Sequence, residues 1–340
     1  MKIKSIYFYR LLFLALFPLT ILSCKNQDGK NKENKNLKAE AERQVEPFFK
    51  LSLAQWSLHK PIFDGKLDPM DFAEKANEMG FEGIEYVSTF YAEKIKNAED
   101  PEKAMQETLD SLKAKSEEFE VENVLIMVDG EGELASADRE EREQAVENHK
   151  KWVDAAQFLG AHAIRVNLFG AEDREEWKKS AVSGLKMLSE YAKEKNINIL
   201  VENHGYLSSN AKLLVEVMKE VAMENCGTLP DFGNFCLKRE GGKRWEAACI
   251  EEYPTYQGIE EMMPYAKAVS AKSYDFNEQG AETTLDYKRI MKIVQDAGYT
   301  GFVGVEYEGE NLSPKEGIMA TKELLIRVGK ELNDEGKEEQ

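Results

Sequence analysis

Residues 197–205 read Ile197-Asn198-Ile199-Leu200-Val201-Glu202-Asn203-His204-Gly205, an aliphatic run that ends in a carboxylate, an amide and an imidazole. So short a run, rich in β-branched residues, reads as a strand covered on both faces, the habit of parallel sheets packed under helices. Three later stretches repeat the design: Leu229-Pro230-Asp231-Phe232-Gly233-Asn234-Phe235, Val269-Ser270-Ala271-Lys272-Ser273-Tyr274-Asp275-Phe276 and Val303-Gly304-Val305-Glu306-Tyr307-Glu308-Gly309. In each, polar side chains collect where the strand stops.

Working outward, strands are expected at Leu51 to Trp56, Gly83 to Val87, Asn123 to Val128, Ala163 to Leu168, Ile197 to Glu202, Gly227 to Asp231, Ala268 to Lys272 and Gly301 to Glu306. Eight strands spaced roughly 30–40 residues apart, each followed by a helical pattern, predict an α/β fold that is a single (β/α)8 TIM barrel rather than a doubly wound sheet. The helices carry their own signals. Asp68 is placed to cap one whose apolar positions Phe72, Ala73, Ala76 and Met79 share a face. Met79-Gly80-Phe81, Leu159-Gly160-Ala161 and Ala297-Gly298-Tyr299 repeat one helix-ending phrase before a new strand. Functional groups of such a barrel sit at the C-terminal strand ends, so position alone selects candidates.

Residues 1–23 read as an export signal: Lys2, Lys4 and Arg10 precede an uncharged apolar run from Leu11 to Leu22, and Ile21-Leu22-Ser23-Cys24 resembles a bacterial lipobox. The resemblance implies cleavage before Cys24 and lipidation of its thiol, giving a membrane-anchored lipoprotein that faces the periplasm or the cell surface. Residues 24–46 form a flexible polar tether, residues 47–332 the catalytic barrel and residues 333–340 a disordered charged tail. Losing the three basic residues of the signal takes the formal charge from −18 to about −21. That charge argues against nucleic acid and against an electrostatic grip on anionic lipid, which leaves the lipid anchor as the membrane contact. Besides Cys24, the cysteines are Cys226, Cys236 and Cys249. No disulfide framework is required; Cys226 and Cys236 fall at opposite ends of a strand, and a Cys236–Cys249 pairing stays open.

The four motifs at the ends of expected strands five to eight, in this order, resemble the xylose-isomerase-like sugar phosphate isomerase/epimerase superfamily, over nearly the whole chain from Leu51. The resemblance implies a divalent metal (Mn, Mg, Zn or Co) held by Glu202, Asp231 and Glu306. It departs at Ser270, where many members place a histidine, and His204 is the natural substitute. Glu202 and Glu306 take the acid/base roles of the family's paired glutamates; Lys272, by its place at a strand end, is set to stabilise the enediolate oxygen or hold a hydroxyl. Gln55, Trp56 and His59 after the first strand, Arg165 and Asn167 on the fourth, and Asn203, His204 and Asn234 fall on the substrate side. An Arg facing a barrel interior is costly unless paired, so Arg165 should meet a site carboxylate or a substrate oxygen. Glu308 is open between rim and site. Asp275 reads as a turn residue or cap, His149 and His162 as structural, and Glu85 and Tyr86 as pocket wall.

These readings favour an isomerase or epimerase of a sugar or keto-sugar, acting by proton abstraction beside a carbonyl. A lyase or hydratase with the same first step is the alternative, and a non-catalytic sugar-binding lipoprotein the second. An abasic-site endonuclease would want a basic face and more than four histidines. With no phosphate-binding loop at the last two strands, the expected partner is a small unphosphorylated carbohydrate. Pairing into a homodimer is in keeping with an acidic barrel of this size, although no interface is marked.

Overall fold

The computed structural model describes residues 46–244 and 247–338. The expected export signal, Cys24 and the expected tether as far as residue 45 lie outside the described residues.

Eight parallel strands form the barrel: β1 Lys50–Ala54, β2 Gly83–Val87, β3 Glu122–Val128, β4 Ala163–Val166, β5 Asn198–Glu202, β6 Cys226–Leu229, β9 Val269–Ser273 and β10 Phe302–Tyr307. Hydrogen-bonded order runs β6-β5-β4-β3-β2-β1-β10-β9. The seam between β6 and β9 is closed by isolated bridges, Thr228 with Ala266 and Asp231 with Ser270. Pro230 explains the interrupted ladder, since it offers Ser270 N a carbonyl at 3.0 Å but has no N–H to return.

Alternation along each strand sorts the side chains. Ile199 and Val201 of β5 point outward into the layer shared with the helices, while Leu200 belongs to a smaller apolar cluster with Ala54, Val87 and Leu229. That register sends Glu202 inward, as it does Arg165 of β4, Lys272 of β9 and Glu306 of β10. Gly80, Gly160 and Gly298 all have left-handed φ, between 71° and 78°, so the repeated helix-ending phrase marks real stops. Asp68 caps as expected, accepting from Met70 N at 2.9 Å.

Two features differ from the sequence expectation. The last helix, Pro314–Glu338, continues past Leu332 into the stretch expected as a disordered tail, and Asn333 Nδ2 ties it to the carbonyl of Glu46 at 2.6 Å. After β6 the chain inserts an antiparallel hairpin, β7 Cys236–Arg239 with β8 Cys249–Glu252, before the next helix. A Cys236–Cys249 disulfide staples it, with Cα atoms 5.8 Å apart, and leaves Cys226 buried with a free thiol. Among the described residues no helix is long and apolar enough to cross a membrane.

Candidate active site

A cavity of about 1030 Å³ opens at the C-terminal strand ends, and its lining includes Glu202, Arg165, Lys272, Glu306 and Glu308. Its centre is Lys272, which is 2% exposed. The Lys272 ammonium lies 2.9 Å from Glu306 Oε1, 3.4 Å from Glu308 Oε2 and 3.8 Å from Asp231 Oδ2. Burial opposes its charge, but Asp231, Glu306 and Glu308 outweigh burial and hold the ammonium well above the ordinary lysine range. Burial pushes Glu306 up, against the pull of Lys272.

Asp231 is fully buried and does not reach the cavity surface. Its Oδ1 accepts the backbone N–H groups of Gly233 and Asn234 at 2.8 and 2.9 Å, and its Oδ2 accepts the Ser270 hydroxyl at 2.8 Å. It therefore shapes the loop that presents Asn234, whose amide donates to Glu202 Oε1 at 3.0 Å. Asn203 is a staple rather than a wall residue. Its amide donates to the carbonyls of Asp231 and Asn234, and its oxygen accepts Asp231 N–H at 2.7 Å.

On the opposite side, Arg165 Nη1 donates to Asp129 Oδ1 at 2.8 Å, and its Nε lies 2.8 Å from Glu202 Oε2 without aiming its N–H at that oxygen. Arg165 thus meets a site carboxylate. Asp129 also accepts from Asn167 Nδ2 at 2.5 Å, and since a carboxylate only accepts, this fixes the amide: Asn167 Oδ1 faces His204 Nδ1 at 2.6 Å. His204 must then carry its proton on Nδ1, with the lone pair on Nε2. Burial lowers its pKa below the usual histidine value, so the imidazole is neutral at pH 7.

Trp56 donates to Glu308 Oε1 at 2.5 Å and stacks on His59 with centroids 4.6 Å apart. Glu308, left open by the sequence, is a site group. His59 does not line the cavity; its Nδ1 donates to the carbonyl of Trp56 at 2.6 Å and buttresses that ring. Gln55 is buried away from it, giving its amide to Tyr91 Oη at 2.7 Å and accepting Val87 N–H at 2.9 Å, so it joins β1 to β2. Glu85 and Tyr86 are not cavity wall either. Glu85 points into the barrel floor, where Ser52 donates to it at 2.6 Å, and Tyr86 points outward against Phe72. His149, buried with Nδ1 on the carbonyl of Ala145 at 2.7 Å, has the structural setting expected, although it touches the cavity edge.

Asp129 is the site group that sequence reasoning passed over. Its signal was present, because Val124 to Val128 runs apolar straight into Asp129-Gly130, the same strand-to-carboxylate pattern as at Glu202. The hairpin residues Arg239 and Arg244 at the cavity mouth were also missed, and Gly241-Gly242 was their turn signal.

The family model for the xylose isomerase-like TIM barrel matches residues 44–328, and the chain belongs to that family. Solved structures of similar fold include the apo form of the 3-keto-D-glucoside 4-epimerase YcjR from E. coli, at 14% identity over 76% of this chain and 94% of that one, TM-score 0.58. They also include the IOLI protein with a bound zinc atom, at 16% identity over 83% of this chain and 99% of that one, TM-score 0.60. A third is the probable 3-DHS dehydratase AsbF from Bacillus anthracis, at 20% identity over 82% of this chain and 98% of that one, TM-score 0.55. A comparison with curated protein sequences returned no match.

The zinc in one relative makes the donor set here a test. Glu202, Asp231 and Glu306 come from β5, the β6 end and β10 as expected, but basic side chains already stand as their counter-ions. Among the described residues no three His, Cys, Asp or Glu side chains are arranged to hold one ion. The arrangement differs from the expected metal cage because Lys272 extends into it and Ser270 offers a hydroxyl where an imidazole ligand was wanted. His204 has its Nδ1 on Asn167 and belongs to the Asp129–Asn167 side of the cavity.

Proposed function

We propose that this chain is an isomerase or epimerase of a keto-sugar, moving a proton on and off the carbon beside a carbonyl. The observation that carries the reading is that Glu202 and Glu306 line one cavity with the Lys272 ammonium bonded to Glu306. A carboxylate removes the carbon-bound proton, the carbonyl oxygen gains the negative charge of an enediolate, and a proton returns to carbon from a second group. Glu306, bonded to Lys272, and Glu202, held between Arg165 and Asn234, are the two carboxyl groups placed to hand the proton off and back. The ammonium supplies the positive charge that the developing oxyanion needs. His204 lines the same cavity, its ring set by Asn167.

The cavity is at the large end for a small-molecule site, which suits a glycoside or disaccharide better than a free triose or pentose. Trp56 and Phe63 at its edge offer apolar faces for a sugar ring. Export and anchoring through Cys24 belong to the same proposal, carried by residues 1–24, and favour an unphosphorylated substrate. The fold shared with a dehydratase favours a lyase as the second reading, in which the same enediolate expels a hydroxyl group instead of regaining a proton.

The test incubates the purified chain in deuterium oxide with ketoses and 3-keto-glycosides and follows deuterium at the carbon beside the carbonyl by NMR. Exchange with isomer formation is expected. Exchange with loss of water would select the lyase, and binding without any exchange across the panel would select a sugar-binding protein.

A further inference from the structure

Strand β9 sends Ser270 and Lys272 to the same side, two residues apart, both into the carboxylate cluster. We propose that Lys272 is the resident cation of this site: its ammonium takes the place of a divalent ion among Asp231, Glu306 and Glu308, and the chain holds these carboxylates together without a metal.

Four contacts carry this. Asp231 has one oxygen on two backbone N–H groups and the other on the Ser270 hydroxyl, so both are already served by built-in donors. Ser270 gives its one proton to Asp231 at 2.8 Å, with Glu306 Oε2 the farther neighbour at 3.4 Å, so a donor stands where a metal site would want a ligand. Glu202 has one oxygen on Asn234 and the other against Arg165. Lys272 itself is buried and in ion-pair range of three carboxylates, so a divalent ion brought among them would meet a fixed positive charge at close range. Charge balance that one ion provides in a metal site is here divided between two side chains, Lys272 and Arg165. An ammonium also differs from an ion in kind, since it acts through its three N–H donors and offers no coordination positions to a substrate oxygen.

Only the catalytic consequence rests on the proton-transfer reading; ion binding is measured without substrate, so the two fail separately. The full chain, stripped with chelator, is titrated calorimetrically with Mn²⁺, Co²⁺ and Zn²⁺, and its metal content after dialysis is read by mass spectrometry. No site tighter than about 0.1 mM is expected. One ion per chain bound more tightly than that, and abolished by Glu306→Gln, would overturn the proposal. The converse variant is Ser270→His with Lys272→Met, which removes the ammonium and supplies an imidazole. It should acquire one Co²⁺ site, roughly tenfold or more tighter than any wild-type binding, with visible absorption bands of protein-bound cobalt. A folded double variant that takes up no ion would count against Lys272 as the occupant; if it fails to fold, the wild-type titration decides.

Discussion

Arg165 Nη1 and Asp129 Oδ1 meet at 2.8 Å across the ends of neighbouring strands, and that one contact organises half of the cavity wall. Arg165 is 5% exposed, so it needs a fixed anion; Asp129 supplies it and also orients Asn167, which in turn sets the tautomer of His204. Burial works against the Asp129 charge, but Arg165 and His204 hold its carboxyl below the usual range.

Asp129→Asn is therefore expected to act through its neighbours. The amide keeps the shape but removes the anion, leaving Arg165 with Glu202 alone and letting Asn167 flip. Breaking one partner of a buried pair costs about 3 kcal/mol, which urea denaturation should register as a lowered midpoint with unchanged slope. In catalysis the loss should fall mainly on kcat, with His204 titrating at a different pH by NMR. An unchanged histidine titration would show that the Asp129–Asn167–His204 chain is not coupled.

Why these contacts were only partly readable in advance follows from how each is made. Glu202, Asp231, Lys272 and Glu306 could be placed on one rim because strand alternation and the barrel's polarity act locally, within five residues. Whether Lys272 or an ion sits among the carboxylates depends on side chains from β6, β9 and β10 meeting across the barrel, and no spacing along the chain encodes that. Gln55 misled for a related reason: a polar residue just past a strand can bond backward to the next strand, as it does to Val87 N–H, and leave the cavity altogether. The helical residues 333–338 were misread because charge alone was weighed, whereas the helix begins at Pro314 and simply runs on.

Glu306→Gln is expected to keep the fold and lower exchange of the sugar's carbon-bound proton by roughly 10²–10⁴-fold, the usual worth of a positioned acid or base. The amide can still accept a hydrogen bond from Lys272 but no longer balances its charge, so a lowered thermal midpoint should accompany the loss in rate. Wild-type exchange in this variant would remove Glu306 from the chemistry and leave it as a partner of Lys272.

Glu85 gives the barrel floor a pH response. Burial is the main cause, with Ser52 pulling the other way and Glu306 and Glu202 adding to it, and the carboxyl is pushed up to about 8. Gly304 makes room, since a Cβ there would lie 2.4 Å from Glu85 Oε1. The folded state thus holds a proton that the unfolded chain gives up near the ordinary value of 4.5. Its contribution to stability is complete below that lower value and drains away as pH rises toward 8, by at most about 1.4 kcal/mol per pH unit. Glu85→Gln removes this one dependence. The difference in unfolding free energy between variant and wild type should grow in the variant's favour from pH 5 to pH 8, and parallel curves would mean that Glu85 is already ionised in the fold.

The disulfide-closed hairpin should be separable from the barrel. Cys236 and Arg239 of β7 line the cavity mouth, yet strand β8 is exposed throughout, so the staple adds to the β7–β8 ladder where little packing helps. Closing a loop of about 15 residues is worth about 3 kcal/mol against the open chain. Because the barrel core lies elsewhere, that sum should appear as local order and not as global stability. In Cys236→Ser with Cys249→Ser, amide exchange should accelerate across residues 236–252 while the strands β1 to β6 keep their protection. Sugar binding should weaken, with KM rising more than kcat falls, because Arg239 and Arg244 lose their fixed place at the mouth. A variant whose whole barrel loses protection would instead make the hairpin part of the folding core, and one with unchanged KM would place the substrate wholly below it.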